Sequence, residues 1–472
     1  MVYGDGASRP VRGRRAAGRT GGAAPAGLRL PGCQRAVPQT LPAPPERGTT
    51  RTWYPLPVIS RTHLFALAAS ALAWCASHAS PAPAATLDVP SPFPTIQAAL
   101  GSATAGDTVL VACGTYVEHD LVMKSGVVLR SAGGLASCVT IDAARQGRVL
   151  VCVGVNAAAR VEGITIVGGL APGPWPDNLG GGVYCEDAFL TFADCAFSGN
   201  EADTRGGAVF CADASPAFER CAFSDNVAGE FGGAISVKDA SFLTVAGGSF
   251  TRNSAKFGAC LNFIGAAGEV TGSLFWENAS REGGGMTIYS SAVTVTDCAF
   301  WNNTALWAGG AIHAHESSPL ISRCTFYGNG AGLAQGATLD FYGAHERGAD
   351  TPVIERCVIA FAADGLALHC DEPTTVPVVT CTNVYGNQGG DWTGCVSGSV
   401  GSDGNFSADP LFCDAEAGDL SLAGASPCLP GNHPSGAACG RIGAFGPGPC
   451  APVGVRGGAS APITWGSLRS RF

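Results

Sequence analysis

Three of the eight histidines of this 472-residue chain, His313, His315 and His369, fall where a strand register would gather them. Alternate residues of a strand share a face, so Val209 and Cys211, Ile235 and Val237, and Ile312 and Ala314 point inward. Phe210, Ser236, Thr287, His313 and His369 then form one outward column, with His315 beside His313 and with Asp340, Asp371 and Glu372 close in register. Imidazoles next to carboxylates can run acid–base chemistry or bind a metal. The same residues also suit an ordinary solvated strand face, and both readings stand at this level.

A second outward column comprises Ser198, Ser224, Thr251, Trp276, Trp301 and Tyr327. Its last three rings, about 4.8 Å apart on successive turns of chain, would pack against the apolar faces of sugar rings. The competing expectation is that a long loop or the C-terminal segment covers them. Asp187, Asp213 and Asp239 recur at spacings of 26. Like charges about 4.8 Å apart repel by roughly 1 kcal/mol even in water, so each carboxylate either caps its own turn or shares a Ca2+ with its neighbour.

One repeat sets all of these positions. Phe-x-x-Asn occurs at Phe197/Asn200, Phe223/Asn226, Phe250/Asn253, Phe275/Asn278, Phe300/Asn303 and Phe326/Asn329, with asparagines 26, 27, 25, 25 and 26 residues apart. Most units are followed by a glycine pair and small or aliphatic residues, as in Gly206-Gly207-Ala208-Val209, Gly232-Gly233-Ala234-Ile235 and Gly309-Gly310-Ala311-Ile312. A fixed period of this size signals a solenoid, and short alternating runs broken by Gly, Asn, Asp and Ser are strand chemistry. About 25 residues at roughly 3.3 Å each make one coil of three strands and three turns.

Stacking such coils puts the Phe residues in a core column and the Asn residues in an amide ladder at one turn. The glycines supply positive φ and close approach at the next corner. A further column, Cys195, Cys221, Cys298, Cys324, Cys357 and Cys381, precedes the Phe position by two residues, with Gly248 and Ser273 holding it in between. These thiols are either soft core filler or disulfides between coils.

The pairing of Gly-Gly-Ala-Ile with Phe-x-x-Asn resembles the repeats of the polymorphic outer-membrane proteins and, more broadly, the secreted right-handed parallel β-helix proteins of pectin-lyase-like fold, over residues 90–450. The resemblance implies an all-β, single-stranded right-handed parallel β-helix, a fold that carries lyases, hydrolases, adhesins and scaffolds alike. Residues 94–100 resemble the short amphipathic helix that opens such solenoids, leading through Gly106-Asp107 into a strand over 108–112. Residues 409–412, 426–428 and 442–446 resemble the closing segment of the same group.

The 22 residues after position 450 are too few for the translocating β-barrel of the outer-membrane relatives, so self-export is not expected. Neither the Gly-His-Gly and Arg-x-Lys signature of polygalacturonase-like hydrolases nor the calcium and arginine arrangement of pectate lyases has a counterpart. The expectation is a non-catalytic extracellular or cell-surface scaffold for polysaccharide binding or adhesion, with no cofactor beyond the Ca2+ weighed above. The alternative is a polysaccharide lyase or glycoside hydrolase acting through His313, His315 and His369.

Residues 1–57 hold nine arginines against Asp5 and Glu46, without hydrophobic period, and read as a disordered or misassigned extension. Residues 58–79 read as a signal peptide, with Arg61 and His63 before the apolar run 64–76 and small residues after it. Ten of the 28 basic and two of the 37 acidic residues precede position 80, leaving 18 against 35, a net charge of −17. Such a chain repels nucleic acid and anionic membranes; a secreted or cell-surface monomer without a transmembrane segment is expected. Polygalacturonate is disfavoured as a ligand unless a cation intervenes. Eighteen of the 20 cysteines remain after residue 79; Cys113 and Cys138 near the first coil, and Cys413, Cys428, Cys439 and Cys450 near the last, are the disulfide candidates. Residues 451–472 read as a Pro/Gly/Ala linker and tail.

Overall fold

The computed structural model describes residues 83–332, 338–343, 350–371 and 375–450. The extension 1–57, the leader 58–79, Glu372 and the tail 451–472 lie outside them. The chain divides into two units, Met1–Ser80 and Pro81–Phe472, and the described residues all belong to the second.

Strands of that unit pair in parallel, each with its counterpart one coil away, into three sheets of 12, 11 and 10 strands. The first sheet runs from Thr86–Val89 to Val378–Thr380, the second from Gly114–Val117 to Asn383–Tyr385, the third from Leu121–Val122 to Leu368–Cys370. Two three-stranded strips between the second and third sheets, one containing Glu201–Ala202 and the other Thr304–Ala308, give most coils a fourth short strand and a fourth corner. The three-cornered coil expected from the period is corrected accordingly.

Each corner opens on a residue with positive φ, filled often by Gly, Asp or Asn, which tolerate it, and elsewhere by Arg, Glu or Cys. Asp297 (φ 53°), Asn302 (φ 50°), Gly309 (φ 63°) and Glu316 (φ 50°) mark the four corners of one coil. Asp187, Asp213 and Asp239 hold the fourth corner in their own coils, at φ 49°, 48° and 59°. Their spacing of 26 therefore follows from backbone conformation. Among the described residues no three His, Cys, Asp or Glu side chains are grouped to hold a metal ion.

The six phenylalanines are buried and stack face to face, with centroids 4.5–5.0 Å apart. Burying each ring contributes on the order of 2–3 kcal/mol. The six asparagines are buried too. Each Asn Nδ2 donates to a Phe or Ile carbonyl of the preceding coil, and each Oδ1 after Asn200 accepts from the backbone N–H and the Nδ2 of the previous asparagine. An amide is the side chain that donates and accepts at once in a dry corner.

The cysteine column is free thiol, buried, and engaged in a specific task. Cys298 Sγ donates to the Thr296 carbonyl two residues back (3.1 Å), as do Cys195, Cys221, Cys324 and Cys357 to theirs. Ser273 Oγ does the same to Thr271 (2.9 Å). Burial pushes the Cys298 thiol well above its ordinary pKa, which keeps it protonated and inert. Cys381 is not in this column. In the last coil Thr382 takes the place, donating to Thr380, and Cys381 occupies the corner before it at φ 49°.

Among the described residues four disulfides form: Cys113–Cys138, Cys370–Cys395, Cys381–Cys439 and Cys413–Cys450. Cys428 remains a free buried thiol, its pKa pushed up to about 11 by desolvation, which corrects its expected pairing; Cys370–Cys395 was missed although its 25-residue separation, like that of Cys113–Cys138, is one coil period.

Helix Ile96–Ser102 covers the N-terminal end of the core with Ile96, Ala99 and Leu100; Thr95 caps it, and Glu118 accepts from the amides of Ile96 and Gln97. Parallel strands end at Tyr385, short of the expected 450. Beyond them the chain turns back along the solenoid as an antiparallel pair, Phe412–Asp414 with Asp419–Leu422, followed by irregular backbone to Cys450. No helix among the described residues is long and apolar enough to cross a membrane.

Candidate functional site

On the third sheet the inward and outward columns are as the alternation requires, yet the outward column is buried. Ser236, Asn262 and Thr287 are fully covered and hydrogen-bonded in series. The cause lies in the glycine corner. A Cβ on Gly283 would stand 2.6 Å from Thr287 Cγ2, and one on Gly309 would stand 2.8 Å from His313 Cβ. With φ at 63° in both, only glycine lets the backbone lie this close over the strand's outer face.

The column continues through His313, Asp340 and His369 on three adjacent strands. His313 Nδ1 lies 2.6 Å from one Asp340 oxygen and His369 Nδ1 lies 2.7 Å from the other. Asp340 is fully buried and His313 is 5% exposed, whereas the His369 ring keeps 19% of its surface. His313 Nε2 faces Glu282 at 3.6 Å, and Glu282 also accepts from the Tyr289 hydroxyl at 3.0 Å. Tyr342 packs between the two histidine rings, 5.7 Å from each. His315 sits half-exposed in the neighbouring column against Tyr289 and Tyr342 and makes no bond to Asp340. Glu282, Tyr289 and Tyr342 were missed by the sequence reading, because their approach depends on how the covering segment lies.

Burial alone would push the Asp340 carboxyl up, but hydrogen bonds and charge from His313 and His369 hold it below its ordinary value. The Asp340 bond raises His369 against the opposing effect of desolvation, with Asp340 and Asp371 adding their charge. Both imidazoles thus spend Nδ1 on one carboxylate, and the chemistry left to them is proton transfer at Nε2.

The aromatic column is covered, as its competing expectation had it. Leu420, Ala444 and Phe445 of the returning chain form one apolar cluster with Leu274 and Ala299, against which Trp276, Trp301 and Tyr327 pack half-buried. Phe412 meets Tyr327 edge-on at 5.7 Å. The strap is pinned by Arg441 to Asp297 (2.7 Å), by the Ala444 amide to Thr325 Oγ1 (2.9 Å) and by the Gly443 amide to the Arg356 carbonyl (2.8 Å). An exposed sugar-stacking row is therefore corrected to a docking surface for the protein's own C-terminal segment.

An open recess of about 360 Å³ lies instead on the first sheet's outer face, in the early coils. Its floor is Gly133, Gly134, Gly163 and Ala193, and its rim carries Arg130, Arg160 and Arg220 with Glu162 and Asp194. Arg160 pairs with Glu162 (2.7 Å) and Arg220 with Asp194 (2.7 Å); Arg130 has no ion-pair partner among the described residues. These arginines precede or straddle the first Phe-x-x-Asn units, where the coil length departs from the 25–27 period that would have aligned them.

A family model for the right-handed β-helix region matches residues 181–345. Among solved structures, pectate lyase Pel9A shares 10% identity at a TM-score of 0.47, over 78% of this chain and 98% of that one. The PL6 family alginate lyase AlyGC shares 14% at 0.38, over 69% of this chain and 49% of that one. No curated protein matches in sequence. With its parallel coils stacked in register and that match across their centre, the chain is a right-handed parallel β-helix protein.

Proposed function

We propose that the protein is an exported, non-catalytic β-helix scaffold that binds a hydroxyl-rich extracellular polysaccharide through the recess on its first sheet. The observation that carries this reading is the convergence of three guanidiniums over a floor of glycine and alanine in a chain otherwise strongly acidic after residue 79. Paired guanidiniums and carboxylates present donors and acceptors to sugar hydroxyls, and Arg130 remains for a carboxylate. The burial of His313 and Asp340 supports the non-catalytic part, since a buried imidazole and carboxylate offer a polymer no direct contact. Four disulfides fit an oxidising compartment outside the cell.

A glycan array followed by calorimetry tests the reading. Arg130→Ala should weaken polysaccharide binding about tenfold or more at an unchanged melting temperature. Unaltered affinity would overturn the recess. The raised basicity of His369 supports a second reading, acid–base catalysis on a bound sugar. Depolymerisation of the bound polymer that His369→Ala abolishes, with folding intact, would replace the scaffold by an enzyme.

A further inference from the structure

On a different face, where the strips between the second and third sheets turn outward, an open trough of about 320 Å³ is floored by Ala228, Gly229, Ala255 and Ala279. Lys256 and Arg281 stand on its edge in adjacent coils, the Arg281 amide donating to the Lys256 carbonyl at 2.9 Å. Arg281 lays its guanidinium over the Trp307 ring, 4.5 Å from the centroid, and has no carboxylate partner among the described residues. Lys256 is held only loosely, 3.7 Å from Glu230. Trp307 keeps 38% of its surface in solvent.

The arrangement lies two corners away from the recess and shares no residue with it. Lysines number three in the whole chain, so a lysine and an unpaired arginine on one small-residue shelf depart sharply from its charge balance. A cation held on an indole gives a flat, amphipathic wall, and small side chains leave room for a ring against it.

We infer that this trough is a second saccharide contact, taking a sugar unit that carries a negative group, with Lys256 and Arg281 on the anion and Trp307 beside the ring. Two contacts on different faces would let one solenoid bridge two polymer chains, or hold one more tightly by raising the effective concentration at the second contact. The inference rests on the polysaccharide reading above and adds a site to it.

Titration calorimetry of the full disulfide-bonded chain with hexasaccharides tests it, using a uronate oligomer, a sulfated oligomer and neutral cellohexaose as probes. The wild type should bind two charged hexasaccharides per chain. Arg281→Gln and Trp307→Ala should each leave one, retained at the recess, and Arg130→Ala should leave the other. Preference for the uronate or for the sulfated oligomer assigns the anion, while equal binding of cellohexaose would overturn the role of the cations. One site that Arg130→Ala removes and Trp307→Ala spares would overturn the trough alone. One site with the opposite sensitivity would keep the trough and remove the recess. No binding of any probe would overturn both.

Discussion

Asn278→Ala should be among the most damaging single substitutions in the solenoid. The side chain makes four bonds: Oδ1 accepts from the Asn253 amide (2.9 Å) and from Asn253 Nδ2 (3.2 Å), while Nδ2 donates to the Phe250 carbonyl (3.0 Å) and to Asn303 Oδ1 (2.8 Å). All these partners belong to buried corners where water cannot replace the amide. At about 0.5–1.5 kcal/mol net for each bond, and more for a donor left unpaired, the loss comes to roughly 4 kcal/mol. Asn329, the last rung of the continuous ladder, makes three such bonds, and Ala362 stands beyond it, so Asn329→Ala should cost about 1 kcal/mol less. Urea unfolding measures the difference. Amide exchange checks that the loss is local to the neighbouring coils, since each coil of a solenoid contacts only its neighbours. A loss under about 1 kcal/mol for Asn278→Ala, or one no larger than for Asn329→Ala, would refute the reasoning that the ladder is a dry, cooperative network.

The His313–Asp340–His369 cluster should make stability depend on pH. Asp340 is lowered, so its contribution is present above the ordinary carboxylate value and is lost as pH falls through its folded pKa; His369 is raised, so its contribution is complete below about 6.5 and fades as pH climbs through its folded pKa. Melting temperature should therefore peak between about pH 4 and 6.5 as far as this cluster is concerned, and His369→Gln should remove the fall on the alkaline side and shrink the one on the acid side, where His313 still holds Asp340 down. The ten free thiols among the described residues are all buried, so a thiol reagent should label none of them in the native protein and all of them in urea. Disulfides among these ten cysteines found by mass spectrometry would contradict the column. Cys298→Ser should cost less than Cys298→Ala, which leaves a cavity worth about 1–2 kcal/mol, because a hydroxyl already makes the same bond at Ser273. Cys413→Ser combined with Arg441→Ala should loosen the strap and raise acrylamide quenching of tryptophan fluorescence, with little change in far-ultraviolet circular dichroism.

The division between what could and could not be read from the residues follows contact range. Phe250 and Asn278 were legible because each meets its own counterpart one period away, and a repeat states that distance directly. Cys381 shows how that logic slips: Thr382 makes the column's hydrogen bond as well as a thiol would, so residue type pointed to the wrong position and the thiol one place earlier pairs with Cys439. Trp276 and Trp301 could not be decided from the residues for a different reason. Their cover arrives from Leu420 to Phe445, and the bond that places it joins Thr325 to Ala444 across 119 residues, which no period encodes.

The same holds on the third sheet. Alternation correctly sent His313 outward, but outward there means beneath the glycine corner, and φ of 63° at Gly309 decides burial more than the histidine itself does. The proposed function thus depends on which faces the covering segments leave bare. The strap covers Trp276, Trp301 and Tyr327 on the second sheet and the glycine corners cover Ser236 to His313 on the third, while the first sheet's early coils and the Trp307 shelf carry the cations through which the proposed polysaccharide contacts would act.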